Sequence, residues 1–229
     1  MSLHPLLSLA RPLVVGTLHD AAGLRVLKTI SARRPRGIDI LEARLDCLSN
    51  PSLPSSWVLP MIATARHPSE GGAGDLSAAR RRHLLEEAIP WASALDIELR
   101  SASALAPVVA QAHQHGRTVI LSHHDFKTTP SLTSLKKLAD RAAGEGADLF
   151  KVATFLRDPR DLQRLIELQL SSTKVPVAAM GMGSAGRFSR IVLSGFGSPL
   201  CYGWLGKPQV PGQWPALRLR ELLDEVLPS

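Results

Sequence analysis

Cysteine and aromatic residues are scarce in this sequence, and both shortages limit what the chain can be. The 229 residues include two cysteines, Cys47 and Cys201, whose positions match no metal-ligand spacing and no disulfide framework. So little cysteine is typical of a reducing compartment. Aromatic residues make up 4% of the chain, whereas hydrophobic residues make up 45%. The core must therefore consist mainly of aliphatic residues, which favours buried parallel strands covered by helices.

Long apolar segments are also missing. No apolar run approaches the roughly 20 residues that a membrane-spanning helix requires. Residues 1–10 are mildly apolar, but they lack the basic start, the full hydrophobic stretch and the cleavage site of a secretion signal. These absences predict a cytoplasmic protein with no membrane partner.

The charge balance is basic, with a net charge of +7 and an isoelectric point near 10.0. The arginines fall in short clusters, at 33–36 and 80–82, and do not alternate with aromatic residues as in proteins that bind single-stranded nucleic acid. A nucleic-acid partner is therefore not favoured. An anionic small-molecule substrate fits the same positive excess.

Motifs that hold cofactors or metals are not found in the sequence. The segment Gly16–His19 is neither a phosphate-binding loop nor a dinucleotide-binding turn. No group of histidine, cysteine and acidic residues has the spacing of a metal site. We therefore expect chemistry without a cofactor or a metal, and an activity that chelators leave unchanged.

Short apolar runs alternate with helical segments along the whole chain. Eight strands are predicted, at Leu13–Leu18, Ile38–Leu45, Val58–Ala65, Ala94–Leu99, Thr118–His124, Ala147–Thr154, Val175–Met180 and Pro199–Trp204. Helices are predicted at Ala78–Ala92, Ser101–His115, Leu132–Ala143, Pro159–Leu170 and Trp214–Val226. This alternation favours an α/β fold, a closed (β/α)8 TIM barrel, over an open sheet. The sequence contains no recognisable linker, so residues 1–229 are expected to form a single domain.

Polar residues interrupt five of these strands near their carboxyl-terminal ends. Because strand side chains alternate, residues two apart share a face. The sets that share a face are Glu42, Arg44 and Asp46; Thr64 and Arg66; Asp96 and Glu98; Ser122 and His124; and Leu149, Lys151 and Ala153. Barrel enzymes hold their active sites on the inward face at these strand ends. The sequence therefore predicts one converging polar pocket.

The same residues allow a structural interpretation. Glu42 could pair with Arg44, and Asp96 with a neighbouring arginine, because ion-pair networks also bury charge. Lys151 stands out because most of its neighbours are apolar, and an amine that loses hydration is disfavoured as the ammonium ion. The hypothesis is that Lys151 is an uncharged amine able to attack a ketone.

Seven groups of residues, in order along nearly the whole chain, resemble the type I 3-dehydroquinate dehydratases. They are Glu42–Asp46; Ala63–Arg66 with Glu70–Gly72; Asp96–Leu99; Ser122–Phe126 with Thr129–Pro130; Lys151–Ala153; Gly186–Arg190 with Phe196–Ser198; and Pro211–Gln213. The resemblance implies a TIM-barrel lyase that needs no cofactor. It also implies dehydration of 3-dehydroquinate to 3-dehydroshikimate through a lysine Schiff base, the third step of the shikimate pathway.

The resemblance assigns roles to individual residues. Lys151 matches the family's Schiff-base lysine, His124 its general acid and base, and Glu70 an acid that orients the histidine. Strand alternation also places His124 on the inward face, and His123 toward the helices or the strand edge. An ordinary imidazole pKa of about 6.5 would suit both proton transfers. The residues that match substrate contacts are Arg190 for the carboxylate, Glu42, Arg44 and Arg66 for ring hydroxyls, and Gln213 on a late loop.

The chain departs from the family pattern at several places. Gln209 stands where the family usually has a serine, and its longer amide can still donate a hydrogen bond to the substrate. Phe155 replaces a frequent methionine and is expected to reshape the pocket wall. A first strand at about Leu13 predicts a reduced N-terminal cap on the barrel. The loop Ser198–Gln213 is a candidate lid with hinges at three glycines, Gly203, Gly206 and Gly212. Relatives are commonly homodimers, so a homodimer is expected.

Two other functions compete with this one. A class I aldolase-like barrel enzyme would share Lys151 but would also need a phosphate site, for which the sequence has no clear signal. A catalytically inactive binding protein of the same fold would not need the complete set of Lys151, His124 and Arg190.

Overall fold

The computed structural model describes residues 11–23, 25, 37–48 and 59–227. The predicted N-terminal cap lies outside these residues. Eight strands follow one another along the chain: β1 (Leu13–Leu18), β2 (Ile40–Arg44), β3 (Met61–Thr64), β4 (Ala94–Glu98), β5 (Thr118–Asp125), β6 (Leu149–Phe155), β7 (Val177–Met182) and β8 (Leu200–Trp204). Each corresponds to a strand predicted from the sequence, with ends that differ by a few residues.

Helices separate most of the strands. The helices whose bounds the structure gives are α1 (Ala78–Ala88), α2 (Ala106–Gln114), α3 (Leu132–Gly144), α4 (Pro159–Gln169), α5 (Gly186–Gly195) and α6 (Ala216–Val226). Side chains of Ser77, Ser131 and Asp158 accept hydrogen bonds from backbone N–H groups in the first turns of α1, α3 and α4. Such caps satisfy donors that a helix cannot pair internally.

Two differences from the predicted helices have local causes. The helix predicted to start at Ser101 starts at Ala106 instead, after a short 3₁₀ turn at Leu99–Ser101. Pro107 lies in its first turn, where a residue without an N–H group is tolerated. The helix α5 was not predicted. Its first residue is Gly186, a weak helix former that hides the start of the helix from pattern analysis.

All strand pairs in the sheet are parallel, in the order β7-β6-β5-β4-β3-β2-β1-β8. The end strands β7 and β8 contact each other. The sheet is thus a nearly closed (β/α)8 barrel, as predicted.

Apolar residues pack in two separate regions. The larger region lies between the strands and the helices, and the smaller one fills the barrel interior. In six strands an inward apolar residue is followed two positions later by a polar one: Val15 and Thr17, Ile40 and Glu42, Ile62 and Thr64, Ala94 and Asp96, Ile120 and Ser122, and Leu149 and Lys151. The barrel interior therefore has an apolar floor beneath a polar layer, because strand side chains repeat with period two.

None of the helices within the described residues has the length and apolar character needed to cross a membrane.

Candidate active site

A cavity of about 510 Å³, here called the barrel cavity, lies above this apolar floor. Eight of the nine residues predicted for the site line it: Glu42, Arg44, Arg66, His124, Lys151, Arg190, Gln209 and Gln213. The ninth, Glu70, lies behind the wall and contacts His124. His123 is half-buried and is not part of the wall, in keeping with the predicted strand alternation. Four of the five polar strands therefore contribute to this wall, and the fifth, β4, reaches it through Asp96, which contacts Lys151.

The Lys151 amine lies at the centre of a charged cluster. Its Nζ is 2.8 Å from Asp96 Oδ2 and 3.5 Å from Glu42 Oε1, and the side chain is buried. The sequence-based hypothesis of an amine among apolar residues omitted these two carboxylates, which favour the charged form of the amine. The contacts thus do not support an amine that is uncharged before substrate arrives.

Asp96 connects the lysine to a buried arginine. Arg66 Nη2 donates to Asp96 at 2.9 Å, and Arg66 Nη1 donates to Glu98 at 3.1 Å and to Ser122 Oγ at 2.6 Å. The flanking cations of Arg66 and Lys151 lower the pKa of Asp96 although burial opposes this shift. Part of the structural interpretation is therefore correct, since Asp96 does pair with a neighbouring arginine.

Glu42 is held by two hydroxyls rather than by Arg44. Thr17 Oγ1 donates to Glu42 at 2.9 Å, and Thr64 Oγ1 donates at 3.0 Å. Arg44 instead forms two hydrogen bonds to Asp46, at 2.9 and 2.7 Å. Because β1, β2 and β3 are neighbours in register, both threonines reach the Glu42 carboxylate from adjacent strands.

His124 and Glu70 form a pair with little exposure to solvent, 11% and 5% for the two side chains. Glu70 Oε2 lies 3.0 Å from His124 Nδ1 and accepts a second hydrogen bond from the His124 backbone N–H, also at 3.0 Å. Burial lowers the pKa of His124 well below 6.5, and Arg66 and Lys151 act in the same direction. The expectation of an ordinary imidazole pKa is therefore wrong. Burial, reinforced by Glu98, raises the pKa of Glu70 to about 7.

Arg190 projects into the barrel cavity from the first half of α5. Its guanidinium donates only to backbone carbonyls: those of Tyr202, Gly181, Gly186 and Gly212, at 2.6 to 3.2 Å. Within the described residues no carboxylate forms an ion pair with it, and burial lowers its pKa to about 10. A buried guanidinium without a negative partner is well placed to bind an anionic group.

The loops over the barrel cavity are organised by side chains of the site. Gln213 Oε1 accepts a hydrogen bond from the Gln209 backbone N–H at 2.8 Å, which closes the late loop on itself. Arg44 donates to the Gly71 carbonyl at 2.9 Å, and Asp46 accepts from the Ala73 N–H at 2.9 Å. Each loop is thus tied to a residue that lines or borders the cavity.

Two expectations about this region are wrong. Phe155 does not line the barrel cavity and packs toward Gly183 instead, so it does not reshape the pocket wall. Gly203 lies within β8, where a Cβ atom would come 2.6 Å from the Ala216 Cα. Close strand–helix packing, and not hinge motion, therefore requires that glycine.

Several wall residues were missed by the sequence analysis. Thr17, His19 and Tyr202 line the cavity, and Phe126 stacks on His124 with a centroid distance of 6.5 Å. Strand alternation in β1 could have found Thr17, because it lies two residues after the inward Val15. Within the described part of the chain, no group of three or more His, Cys, Asp or Glu residues is arranged to hold a metal ion.

Comparison with known proteins places this site in a family. The family model for type I 3-dehydroquinase matches residues 17–226. A 3-dehydroquinate dehydratase of Methanothermobacter thermautotrophicus is 35% identical over 199 residues, which cover 84% of this chain and 87% of the relative. One from Methanocella arvoryzae is 36% identical over 194 residues, covering 82% of this chain and 86% of the relative.

Solved structures agree with the sequence comparisons. The 3-dehydroquinate dehydratase of Aquifex aeolicus superposes with a TM-score of 0.81 at 28% identity and covers 95% of this chain and 100% of its own. The type I enzyme of Clostridium difficile, solved with covalent modified comenic acid, superposes with a TM-score of 0.82 at 25% identity, over 94% of this chain and 92% of its own. The match of the family model, together with relatives more than 30% identical over most of the chain, establishes that this protein belongs to the type I 3-dehydroquinase family.

Proposed function

We propose that this protein is a 3-dehydroquinate dehydratase that forms an imine between its substrate and Lys151. The main support for the proposal is that three groups with little exposure to solvent line one cavity: the Lys151 amine, the His124 imidazole and the Arg190 guanidinium. Family membership and the names of its relatives support the same substrate. The reaction is the third step of the shikimate pathway, which builds chorismate and the aromatic amino acids.

Imine formation begins at Lys151. The ammonium first releases a proton to water, while the Asp96 carboxylate, with its Oδ2 2.8 Å from Nζ, keeps the amine in place. The free amine adds to the substrate ketone, and the resulting carbinolamine takes up a proton and loses water to leave a protonated imine. This cation is an electron sink, as bound imines are in cofactor enzymes. It makes the neighbouring carbon acidic enough for a side chain to deprotonate.

His124 then carries the proton across the reaction. With Nδ1–H donating to the Glu70 carboxylate, the second ring nitrogen, Nε2, keeps a free electron pair that can accept the α proton. The electron pair of the broken C–H bond forms a carbon–carbon double bond, and the π electrons of the carbon–nitrogen double bond move onto nitrogen, which gives a neutral enamine. The same imidazole returns the proton to the departing hydroxyl, which leaves as water. Hydrolysis of the product imine frees Lys151.

Substrate orientation follows from charge. The carboxylate of the substrate binds Arg190, the guanidinium that lacks an acidic partner within the described residues. The ring hydroxyls form hydrogen bonds with Glu42, Arg44 and Arg66. The late loop, which carries Gln209 and Gln213, covers the substrate. We further infer that the protein is a cytoplasmic homodimer, as its relatives commonly are. Light scattering of the purified protein measures its mass, and a monomer would contradict the dimer.

The direct test is the appearance of product. Adding 3-dehydroquinate to the purified protein is expected to produce the ultraviolet absorbance of a conjugated enone. No absorbance change at high enzyme concentration would reject the assignment and favour the inactive binding protein. Turnover of phosphorylated aldol substrates in place of 3-dehydroquinate would favour the aldolase-like alternative.

Replacing Arg190 with methionine is expected to lower kcat/KM roughly 100-fold to 1000-fold, because a buried charge-assisted contact to the substrate carboxylate is lost. Arg190→Lys keeps the charge but not the planar fork, so its loss is expected to be intermediate. Steady-state kinetics over a wide substrate range measures both effects. Arg220→Met, which removes another buried guanidinium outside the cavity wall, is the control. Equal losses in the Arg190 and Arg220 variants would show a structural effect only.

The raised pKa of Glu70 predicts the acid side of the pH profile. Only the ionised carboxylate fixes the proton on His124 Nδ1; a protonated Glu70 would donate to Nδ1 and move the imidazole proton to Nε2, which could then no longer accept the α proton. Because Glu70 ionises at about 7, kcat/KM is expected to fall as the pH falls through about 7. In Glu70→Gln, whose amide oxygen does not titrate, this fall is expected to shift to lower pH. An unchanged profile in Glu70→Gln would assign the ionisation to another group.

A further inference from the structure

The ring of Tyr202 forms one wall around the Lys151 amine. Lys151 Nζ lies 3.8 Å from the centroid of the Tyr202 ring. Tyr202 is the one tyrosine of the sequence, stands on β8 among the inward-facing residues and is 3% exposed. The amine therefore contacts an aromatic face as well as two carboxylates.

The distance and the burial make this contact a strong one of its kind. A cation within about 6 Å of an aromatic centroid is attracted by the negative face of the ring. The attraction grows when both partners are removed from water, and Lys151 is also only 3% exposed. Water thus does little to screen this pair.

We propose that the face of Tyr202 stabilises the positive charge on the imine nitrogen during turnover. The inference rests on the proposed function, because the imine nitrogen is Lys151 Nζ itself. Condensation of the amine with the ketone releases one water and leaves a cation at that atom when the imine is protonated. Removal of the α proton cancels the charge in the enamine, and loss of the hydroxyl with a proton from His124 restores it.

After the imine forms, the ring stabilises the positive charge on nitrogen better than the two carboxylates do. A lysine ammonium has three N–H donors, whereas a protonated imine nitrogen has one. Asp96 and Glu42 thus compete for a single hydrogen bond, although both contact Nζ in the unmodified side chain. The ring face needs no N–H group, so its attraction persists in the iminium state and weakens in the neutral enamine.

The hydroxyl of Tyr202 is separable from this role. Its oxygen is buried and has no hydrogen-bond partner within the described residues. Tyr202→Phe removes that oxygen and keeps the ring, whereas Tyr202→Leu keeps an apolar side chain and removes the ring. The two variants therefore distinguish the aromatic face from the hydroxyl and from packing.

The experiment traps the iminium with borohydride during turnover of 3-dehydroquinate and counts the modified fraction of Lys151 by mass spectrometry. We expect Tyr202→Phe to keep the trapped fraction and kcat within about twofold of the unmodified protein, and Tyr202→Leu to lose roughly tenfold in both. Equal losses in both variants would assign the effect to the hydroxyl and overturn the proposal. Full activity and trapping in Tyr202→Leu would also overturn it.

A graded series covers the case in which Tyr202→Leu does not fold. In this series Tyr202 is replaced by phenylalanine analogues with one, two or three ring fluorines. The analogues keep the shape of the ring and progressively weaken the negative potential of its face. We expect trapping and kcat to fall stepwise along the series; values that do not change with fluorination would overturn the proposal. If the unmodified protein gives no adduct on Lys151, the imine itself fails. An adduct that is insensitive to fluorination contradicts only the role of Tyr202.

Discussion

Replacing Lys151 with alanine is expected to abolish turnover and to remove the covalent adduct that borohydride traps in the presence of substrate. The lysine supplies both the nucleophile and the electron sink, so kcat should fall by roughly 10⁴-fold or more, as when other enzymes lose their nucleophile. Enone absorbance measures the rate. Mass spectrometry of the reduced protein locates the adduct.

The surroundings of Lys151 predict that this variant still folds. Asp96 keeps its ion pair with Arg66, and Glu42 keeps hydrogen bonds from Thr17 and Thr64. Neither carboxylate is therefore left without a partner in the barrel. Thermal unfolding tests this point. Lys136→Ala, which removes an exposed lysine on α3, is the matched control and should keep both activity and adduct. An adduct that persists in Lys151→Ala would refute the role of this lysine.

Replacing His124 with alanine is expected to lower kcat roughly 10²-fold to 10⁴-fold, the usual contribution of a general acid or base. The neighbouring His123 is the matched control, because it differs in position by one residue and does not line the barrel cavity. His123→Ala should therefore keep near-normal kcat. If His123→Ala were the more damaged variant, the strand register that places His124 inward would be wrong.

A second measurement tests abstraction of the α proton, the step assigned to His124, apart from the rest of the reaction. Exchange of the substrate α hydrogen with deuterated water reports proton abstraction apart from loss of the hydroxyl. We expect this exchange to be lost in His124→Ala, while borohydride still traps an imine on Lys151, formed more slowly. Normal exchange in the variant would assign the α proton to another base.

Much of the site was predictable because strand geometry is local. Alternation with period two places Glu42, Asp96, Ser122 and Lys151 on one face from the sequence alone. The same rule separates His124 from His123 without any knowledge of partners. Eight strands separated by helices indicate a parallel sheet, since parallel strands need crossover connections, and the number of strands favours a closed barrel over an open sheet.

Residues outside that pattern needed either a family resemblance or the tertiary structure. Arg190 belongs to α5, a helix that pattern analysis missed, and Glu70 ends a short 3₁₀ turn, so neither follows from strand alternation. Tyr202 lies on β8 and was missed, although it contacts the Lys151 amine. Phe155 was assigned to the pocket wall and lies elsewhere.

The order of residues is enough to show which strands carry polar side chains and which face those side chains take, because both depend on neighbours along the chain. Which charged side chains contact each other depends on the folded barrel. Lys151 and Asp96 are 55 positions apart yet 2.8 Å apart in space, and the shifted pKa values of His124 and Glu70 arise from such contacts and from burial. Desolvation and Coulomb attraction depend on burial and on distances across the barrel. Those distances exist only in the folded protein and cannot be obtained from the order of residues.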